Sequence, residues 1–436
     1  MDLALWMFPV LITFILIGFP VAFALIATSL IFGWIRFEGV AVHQFMSKVD
    51  DVSSNYILGA IPLFIFMGAM LERSGIAERL FDAIYMWTRR LPGGLAVGAI
   101  LMCVVFAMAS GITGAVEAVV GLLAIPAMMK YGYDKRLISG TICAGGSLGT
   151  SIPPSVTVIV LAPVANLPVG NLFAGMMFPG LIMAGLFIVL IMGACALRPA
   201  LAPREASPEA DGRSFLLKLR ITAIALVPPL ILILAVLGTI LGGIATPTEA
   251  AACGAVGSAI LAFVYGRLTL AVLKSALFRT LMITAMILLI VLGGSMFAGV
   301  FFATGGMGAI QSVIRSIGLE GWMIIAAILL VTFVAAFVLE ILTVVIIIMT
   351  IAMPLVMISG ADPLWFCILF LLVLQTGYLT PPMAPSVFYL RAIAPPEITL
   401  KHMYWGVMPF ILVQLVTLAL VIYFPALATW LPSKLY

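Results

Sequence analysis

The sequence predicts an all-α polytopic membrane protein built from two inverted-topology repeats, each with a re-entrant helical hairpin and a broken transmembrane helix. Three observations predict it. The chain is 64% hydrophobic and 9% charged, against roughly 25% charged residues in soluble domains. Its apolar runs are long enough, one after another, to cross a hydrocarbon core of about 30 Å. One pattern also occurs twice: Pro126 to Pro153-Pro154 is matched by Pro354 to Pro381-Pro382, both proline marks being 228 residues apart. Glycines and paired prolines that interrupt corresponding hydrophobic segments of two halves point to the binding site of a membrane carrier.

Taken in order, Leu3 to Trp34 is too long for one span and contains Gly18-Phe19-Pro20, which predicts two short helices or one broken helix. The N-terminus reads as a retained first span and not as a removed signal. Arg36 to Ser54 is an amphipathic arm at the interface, Ile57 to Leu71 a span, and Arg73 to Arg90 a polar loop. Residues 93–129 form the first hairpin, with its tip at Ser110 to Gly114, because one straight helix of that length would reach roughly 55 Å. The first broken helix covers 137–165 and the span Leu172 to Leu197 closes the first repeat, 1–197. A hydrophilic linker, 198–220, leads to the second repeat, 221–436. There the plan recurs: spans at Ile221 to Gly243 and Ala250 to Val264, a basic arm at Arg267 to Arg279, a span at Leu281 to Phe302 and a polar loop to Gly321. A hairpin at 322–358 with its tip at Leu339 to Thr343, a broken helix at 364–389 and a last span at Tyr404 to Phe424 complete it.

Charge orients the chain. With the linker cytoplasmic, all but Arg36, Lys48, Arg315 and Lys434 of the 21 Lys and Arg residues fall inside, as the positive-inside rule requires. This makes the repeats inverted and places both termini in the periplasm.

Two hairpin tips meeting two broken helices bring free helix ends to the middle of the membrane. Carbonyl ends attract cations and amide ends attract anions. Ser110, Thr113, Ser147, Thr150 and Ser151 in one half, and Thr343, Thr376, Thr380 and Ser386 in the other, add side-chain oxygens. Oxygen-only ligation favours a hard cation such as sodium over zinc or copper. Glu117 and Glu340 are the only charges placed within the membrane, Glu117 beside the first tip facing a cytoplasmic cavity and Glu340 in the second tip, where it binds a cation, carries a proton or balances a substrate cation. Trp6, Trp34, Trp87, Trp322, Trp405 and Trp430 lie near span ends as interfacial anchors. The five cysteines, Cys103, Cys143, Cys195, Cys253 and Cys367, read as small core residues. No HExxH occurs and both histidines, His43 and His402, lie outside the spans, so the chain is not expected to be an enzyme, and no nucleic-acid partner is expected.

Ala60-Ile61-Pro62-Leu63-Phe64, Gly146 to Ser155, Phe178-Pro179-Gly180, Leu379-Thr380-Pro381-Pro382 and Tyr423 to Leu427 together resemble the large (M, DctM-like) membrane subunit of tripartite ATP-independent periplasmic (TRAP) transporters. The resemblance runs the whole length of the chain. It implies a multi-pass protein of the bacterial inner membrane, the translocation subunit of a secondary importer of organic acids, driven by a sodium gradient through an elevator-like motion. It implies two partners in that lipid bilayer system, a small four-helix membrane subunit and a periplasmic substrate-binding protein, and no cofactor besides Na+ as coupling ion. It places the ion-binding residues at Ser110, Gly111, Thr113, Gly114, Gly146, Ser147, Gly149 and Thr150, and at Glu340, Thr343, Thr376, Gly377, Thr380 and Pro381. The substrate-binding residues are then Ser151, Pro153, Pro154, Pro382 and Ser386. The alternative is a stand-alone sodium/dicarboxylate-type symporter of related architecture.

Overall fold

The computed structural model describes residues 3–203, 214–337 and 339–436, so the middle of the expected 198–220 linker lies outside the described residues. All regular structure among the described residues is helical. Helices α1 (Leu3–Ile17) and α2 (Val21–Phe37) part at Gly18, whose φ is 103°, and at Pro20, which stands at the N-cap of α2 and brings no N–H that needs a partner. The arm is α3 (Val40–Ser53). A 3-10 turn, Tyr56–Gly59, opens α4 (Ala60–Arg73).

The stretch read as a polar loop after Arg73 is instead α5 (Ile76–Thr88). Ile76, Leu80 and Ala83 are buried while Glu78 and Arg79 face outward, the pattern of a surface helix with one apolar stripe. Helices α6 (Gly94–Ser110) and α7 (Thr113–Lys130) are joined by Gly111 and Ile112 and pack on one another. Asp134 accepts from the amides of Arg136 and Leu137 and so starts α8 (Lys135–Ser147), which tightens into a 3-10 turn at Leu148–Thr150 before α9 (Val156–Ala165). A long helix, α10 (Val169–Leu197), follows.

In the second half α11 (Phe215–Leu241) begins inside the stretch read as linker, because Phe215-Leu216-Leu217 extends the apolar run. A Thr246–Glu249 capping box starts α12 (Pro247–Val264). The basic arm and the span expected after it are one helix of 34 residues, α13 (Leu270–Ala303); residues 267–292 contain no Gly or Pro to interrupt it. The loop expected before Gly321 holds α14 (Gly306–Ile317), set off by Gly305 and Gly318 with positive φ and bent 118° from α15 (Trp322–Ala335). Helix α16 (Ile341–Ser359) comes next; Asp362 then caps α17 (Pro363–Leu379), and α18 (Pro385–Ile393) and α19 (Leu400–Tyr423) follow. A terminal α20 (Ala426–Leu435) lies beyond the last expected span.

The helices sort into an inner block, α6–α10 with α15–α20, and an outer layer in which α4, α12 and α13 pack together with α2 and α11. Contacts cross between the halves in matched pairs. Helix α7 packs on α18 as α16 packs on α9, and α8 packs on α19 as α10 packs on α17. Interior prolines match too: Pro126 in α7 and Pro354 in α16, Pro179 in α10 and Pro409 in α19.

Eight helices among the described residues are long and apolar enough to cross a membrane. Large apolar side chains such as Leu16, Ile231, Leu281, Leu330 and Leu412 are exposed around the bundle, a surface that lipid, not water, would cover. The six tryptophans read as interfacial anchors are all exposed. Four cysteines are buried, but Cys253 is exposed; it lies on α12 opposite the face where Ala250, Ala251, Gly254 and Ala255 are buried.

Candidate functional site

Each tip rests on the break of its own half. At the first, Gly111 takes a φ of 62° and its carbonyl accepts from the Val156 amide at 3.2 Å, so the turn of one helix pair starts α9. A Cβ on Gly111 would meet the Pro154 carbonyl oxygen at 2.8 Å, and one on Gly149 would meet the Thr113 nitrogen at 3.0 Å. Only glycine lets these backbones approach so closely. At the second, a Cβ on Gly377 would lie 2.4 Å from Ala336 Cβ. Gly149 and Gly377 are themselves 228 residues apart, and each seats the turn of its own half. Both proline pairs, Pro153-Pro154 and Pro381-Pro382, are cis.

The tips differ in how their helices are capped. Glu340 is the N-cap of α16, and its Oε2 accepts from the amides of Leu342 and Thr343 at 3.0 and 3.3 Å. Ile112 occupies the corresponding N-cap of α7 and offers no side-chain cap. An uncapped first turn leaves amides without intrahelical partners.

Where the halves meet, Gln375 Nε2 donates to Ser147 Oγ at 3.0 Å and Gln414 Nε2 donates to the same oxygen at 3.2 Å. Ser147 and Gln375 are again 228 residues apart. A residue touches its own counterpart only where an axis relating the halves would pass. Nearby, Ser386 Oγ donates to Glu117 Oε1 at 2.7 Å and approaches the Cys143 carbonyl at 3.3 Å. Glu117 is wholly buried against Gly146, so it joins α7, α8 and α18 and does not face a cytoplasmic cavity as expected.

Between the tips lies a cavity of about 810 Å³. It reaches from Gly111 to Ala115 on one tip to Phe337 and Glu340 on the other, with Tyr378, Phe388 and Tyr389 from the second break and Arg279 from α13. Arg279 Nη1 sits 2.7 Å from both oxygens of Glu72.

Of the residues singled out from the sequence, Gly111, Thr113, Gly114 and Glu340 line this cavity. Ser110 caps back onto the Phe106 carbonyl, Thr150 onto the Ser147 carbonyl, Thr376 onto the Leu372 carbonyl and Thr380 onto the Thr376 carbonyl. Ser151 and Thr343 are buried with hydroxyls that have no hydrogen-bond partner. Ser386 is directed to Glu117, and the Pro382 carbonyl accepts from the Tyr404 hydroxyl at 3.0 Å. Among the described residues no group of His, Cys, Asp and Glu is placed to hold a metal ion. Gln375, Gln414, Tyr378 and Tyr389 were not foreseen. Gln375 was legible as the counterpart of Ser147, while the aromatic pair carries no spacing that marks it.

Stacked apolar spans around two glycine-seated helix breaks make this a multi-pass membrane protein of the carrier class. The profile of the family described as "Tripartite ATP-independent periplasmic transporter, DctM component" matches residues 8–427. The chain is 32% identical to the C4-dicarboxylate TRAP transporter large permease protein DctM of Pseudomonas aeruginosa, over 92% of this chain and 91% of that protein. It is 28% identical to the ectoine TRAP transporter large permease protein TeaC of Halomonas elongata, over 97% of both. The chain therefore belongs to the DctM family, as a TRAP transporter large permease subunit. A crystal structure of the Alcanivorax borkumensis YdaH transporter superposes with a TM-score of 0.66 at 14% identity, covering 95% of this chain and 97% of that one, a likeness of fold.

Proposed function

We propose that the chain is the translocation subunit of a sodium-gradient-driven importer of organic acids in the bacterial inner membrane. It works with a small membrane subunit and a periplasmic binding protein that hands over the substrate. The observation that carries the sodium reading is a set of buried side-chain oxygens without hydrogen-bond partners: Ser151 and Ser155 at the first break, Thr343 at the second tip and Gln375 on α17 ahead of the second break. Unpaired buried oxygen costs free energy unless something satisfies it, and a hard monovalent cation needs only oxygen.

Residues 1–197 and 221–436 act as inverted repeats, with 93–129 and 322–358 as re-entrant hairpins and both termini periplasmic. The matched crossings of α7 on α18 and α16 on α9, and the contact of Ser147 with its counterpart Gln375, support a two-fold relation. The Lys and Arg distribution supports its inversion. The inner block moves against the outer layer as an elevator. The faces between them use small residues: Gly68 of α4 lies against Ser110, and Gly294 of α13 against Ile346. Sodium at the breaks completes the pocket, and the substrate carboxylate takes the open amides of α7.

Thermal unfolding of the purified subunit with its small partner, titrated with sodium, potassium or choline at constant ionic strength, tests the coupling ion. Sodium alone should stabilise, by about 2.7 kcal/mol at a hundredfold excess over Kd. Thr343→Val, which replaces an unpartnered hydroxyl by a methyl, should shrink that shift. Equal shifts in sodium and potassium would refute sodium coupling.

A further inference from the structure

We propose that the cavity between the tips recognises a zwitterion, its carboxylate at the first turn of α7 and a substituted ammonium held between Glu340 and the surrounding aromatic rings. This names a substrate class for the importer read above and rests on that reading.

The two tips cap their helices differently. Ile112 and Glu340 are counterparts at the 228-residue offset. At the second tip the N-terminal amides of the helix are already satisfied by the Glu340 carboxylate; at the first there is no side-chain cap. The second half thus carries its own carboxylate in the slot that the first half leaves for a ligand's. A dicarboxylate would meet uncapped amides at one tip and a second carboxyl group at the other.

The remaining charge does not offset that. Arg279, the basic residue on the wall, is held by both oxygens of Glu72, so this pair is neutral and Glu340 is the acidic group left on the cavity wall. Both amide bonds to Glu340 fall on Oε2; Oε1 makes no hydrogen bond among the described residues. The Tyr378 side chain lines the cavity at 3% exposure, with its hydroxyl beside the Thr113 hydroxyl of the first tip.

The rest of the wall suits an ammonium. Tyr378 and Tyr389 stack with centroids 6.4 Å apart, and Phe388 and Tyr389 are each about half exposed, at 48% and 52%, within the cavity lining. Phe337 adds a ring from the second tip. A carboxylate with several aromatic faces is the chemistry that holds alkylated ammonium groups. Tyr389 also lies over the first turn of α7, 3.1 Å from where a Cβ on Gly114 would be, so the anion and cation positions are adjacent, as in a small zwitterion.

Three probes of similar size decide it: N,N,N-trimethylglycine, its uncharged-carbon isostere 3,3-dimethylbutyrate, and succinate. Binding of each to the purified permease with its small membrane subunit, in sodium, is measured by isothermal titration. Trimethylglycine should bind at least about tenfold more tightly than either competitor. In Glu340→Gln, which keeps an oxygen for the two amides but removes the charge, its advantage over 3,3-dimethylbutyrate should fall to about onefold. The wild-type comparison needs no variant. If 3,3-dimethylbutyrate or succinate binds as tightly as trimethylglycine, the zwitterion proposal is overturned and the importer reading stands. If none of the three binds in sodium, while sodium itself stabilises the protein, the proposal again fails without the coupling reading. If neither probes nor sodium bind, both fail.

Discussion

Gly140→Ala and Gly406→Ala should each prevent accumulation of a folded permease. Helices α8 and α19 cross at this pair. A Cβ on Gly140 would lie 2.2 Å from the Gly406 carbonyl oxygen, and one on Gly406 would lie 2.2 Å from the Arg136 carbonyl oxygen. Neither obstacle is a side chain that can swing aside, so the helices must separate. Separation would also pull Ser139 Oγ from the His402 carbonyl, to which it now donates at 3.2 Å. Overpacking costs typically about 1–3 kcal/mol, and contact with rigid backbone belongs at or above the top of that range. Gly185→Ala and Gly193→Ala are the controls. Both sit on α10 with nothing within 4 Å of an added Cβ, and alanine is favoured over glycine in a helix. Their yield and thermal midpoint in detergent should match or exceed wild type, while the α8 and α19 variants should appear as aggregate.

Gly146→Ala should come next in severity, with a dependence on a second residue that identifies its cause. The added Cβ would fall 1.8 Å from Glu117 Cγ. Glu117 cannot rotate away freely, because Ser386 Oγ holds its Oε1 at 2.7 Å and the whole side chain is buried. Glu117→Ala alone leaves a hole beside Gly146 and removes the acceptor of the Ser386 hydroxyl. The double variant Gly146→Ala with Glu117→Ala refills part of that hole. It should be more stable than the sum of the single effects allows, by about 2 kcal/mol, within the range for residues in direct contact. Additive losses in chemical denaturation would mean that the glycine is required for some reason other than Glu117.

The tips and breaks were legible from recurrence at one offset and not from proline alone, since Pro126, Pro179, Pro228, Pro229, Pro354 and Pro409 all stay inside helices. Gly111, Pro153-Pro154, Gly377 and Pro381-Pro382 therefore marked the tips and breaks from sequence alone. Helices α5 and α14 were not legible as helices, since Arg79, Glu78 and Arg315 lower the average hydropathy of segments whose buried stripe is only a few residues wide. The continuity of α13 was missed for a related reason. Lys274 and Arg279 looked like the end of an arm, but Arg279 is accommodated inside the fold by Glu72 on α4. Partner choice was the least legible. Nothing in the local sequence says that Ser386 answers Glu117 across 269 residues, or that Gln414 joins Gln375 at Ser147. Those pairings depend on how the halves cross, which hydropathy and spacing do not specify.

The central claim is that two glycine-seated breaks and two tips form one coupled transport site fed from the periplasm. It is tested most directly by uptake into proteoliposomes. The permease and its small membrane subunit are reconstituted, a labelled organic acid is supplied on the periplasmic binding protein, and an inward sodium gradient is imposed or withheld. The account predicts accumulation against the solute gradient only when sodium, binding protein and small subunit are all present, and its loss when the gradient is collapsed. Equal accumulation without sodium, or without the binding protein, would contradict it.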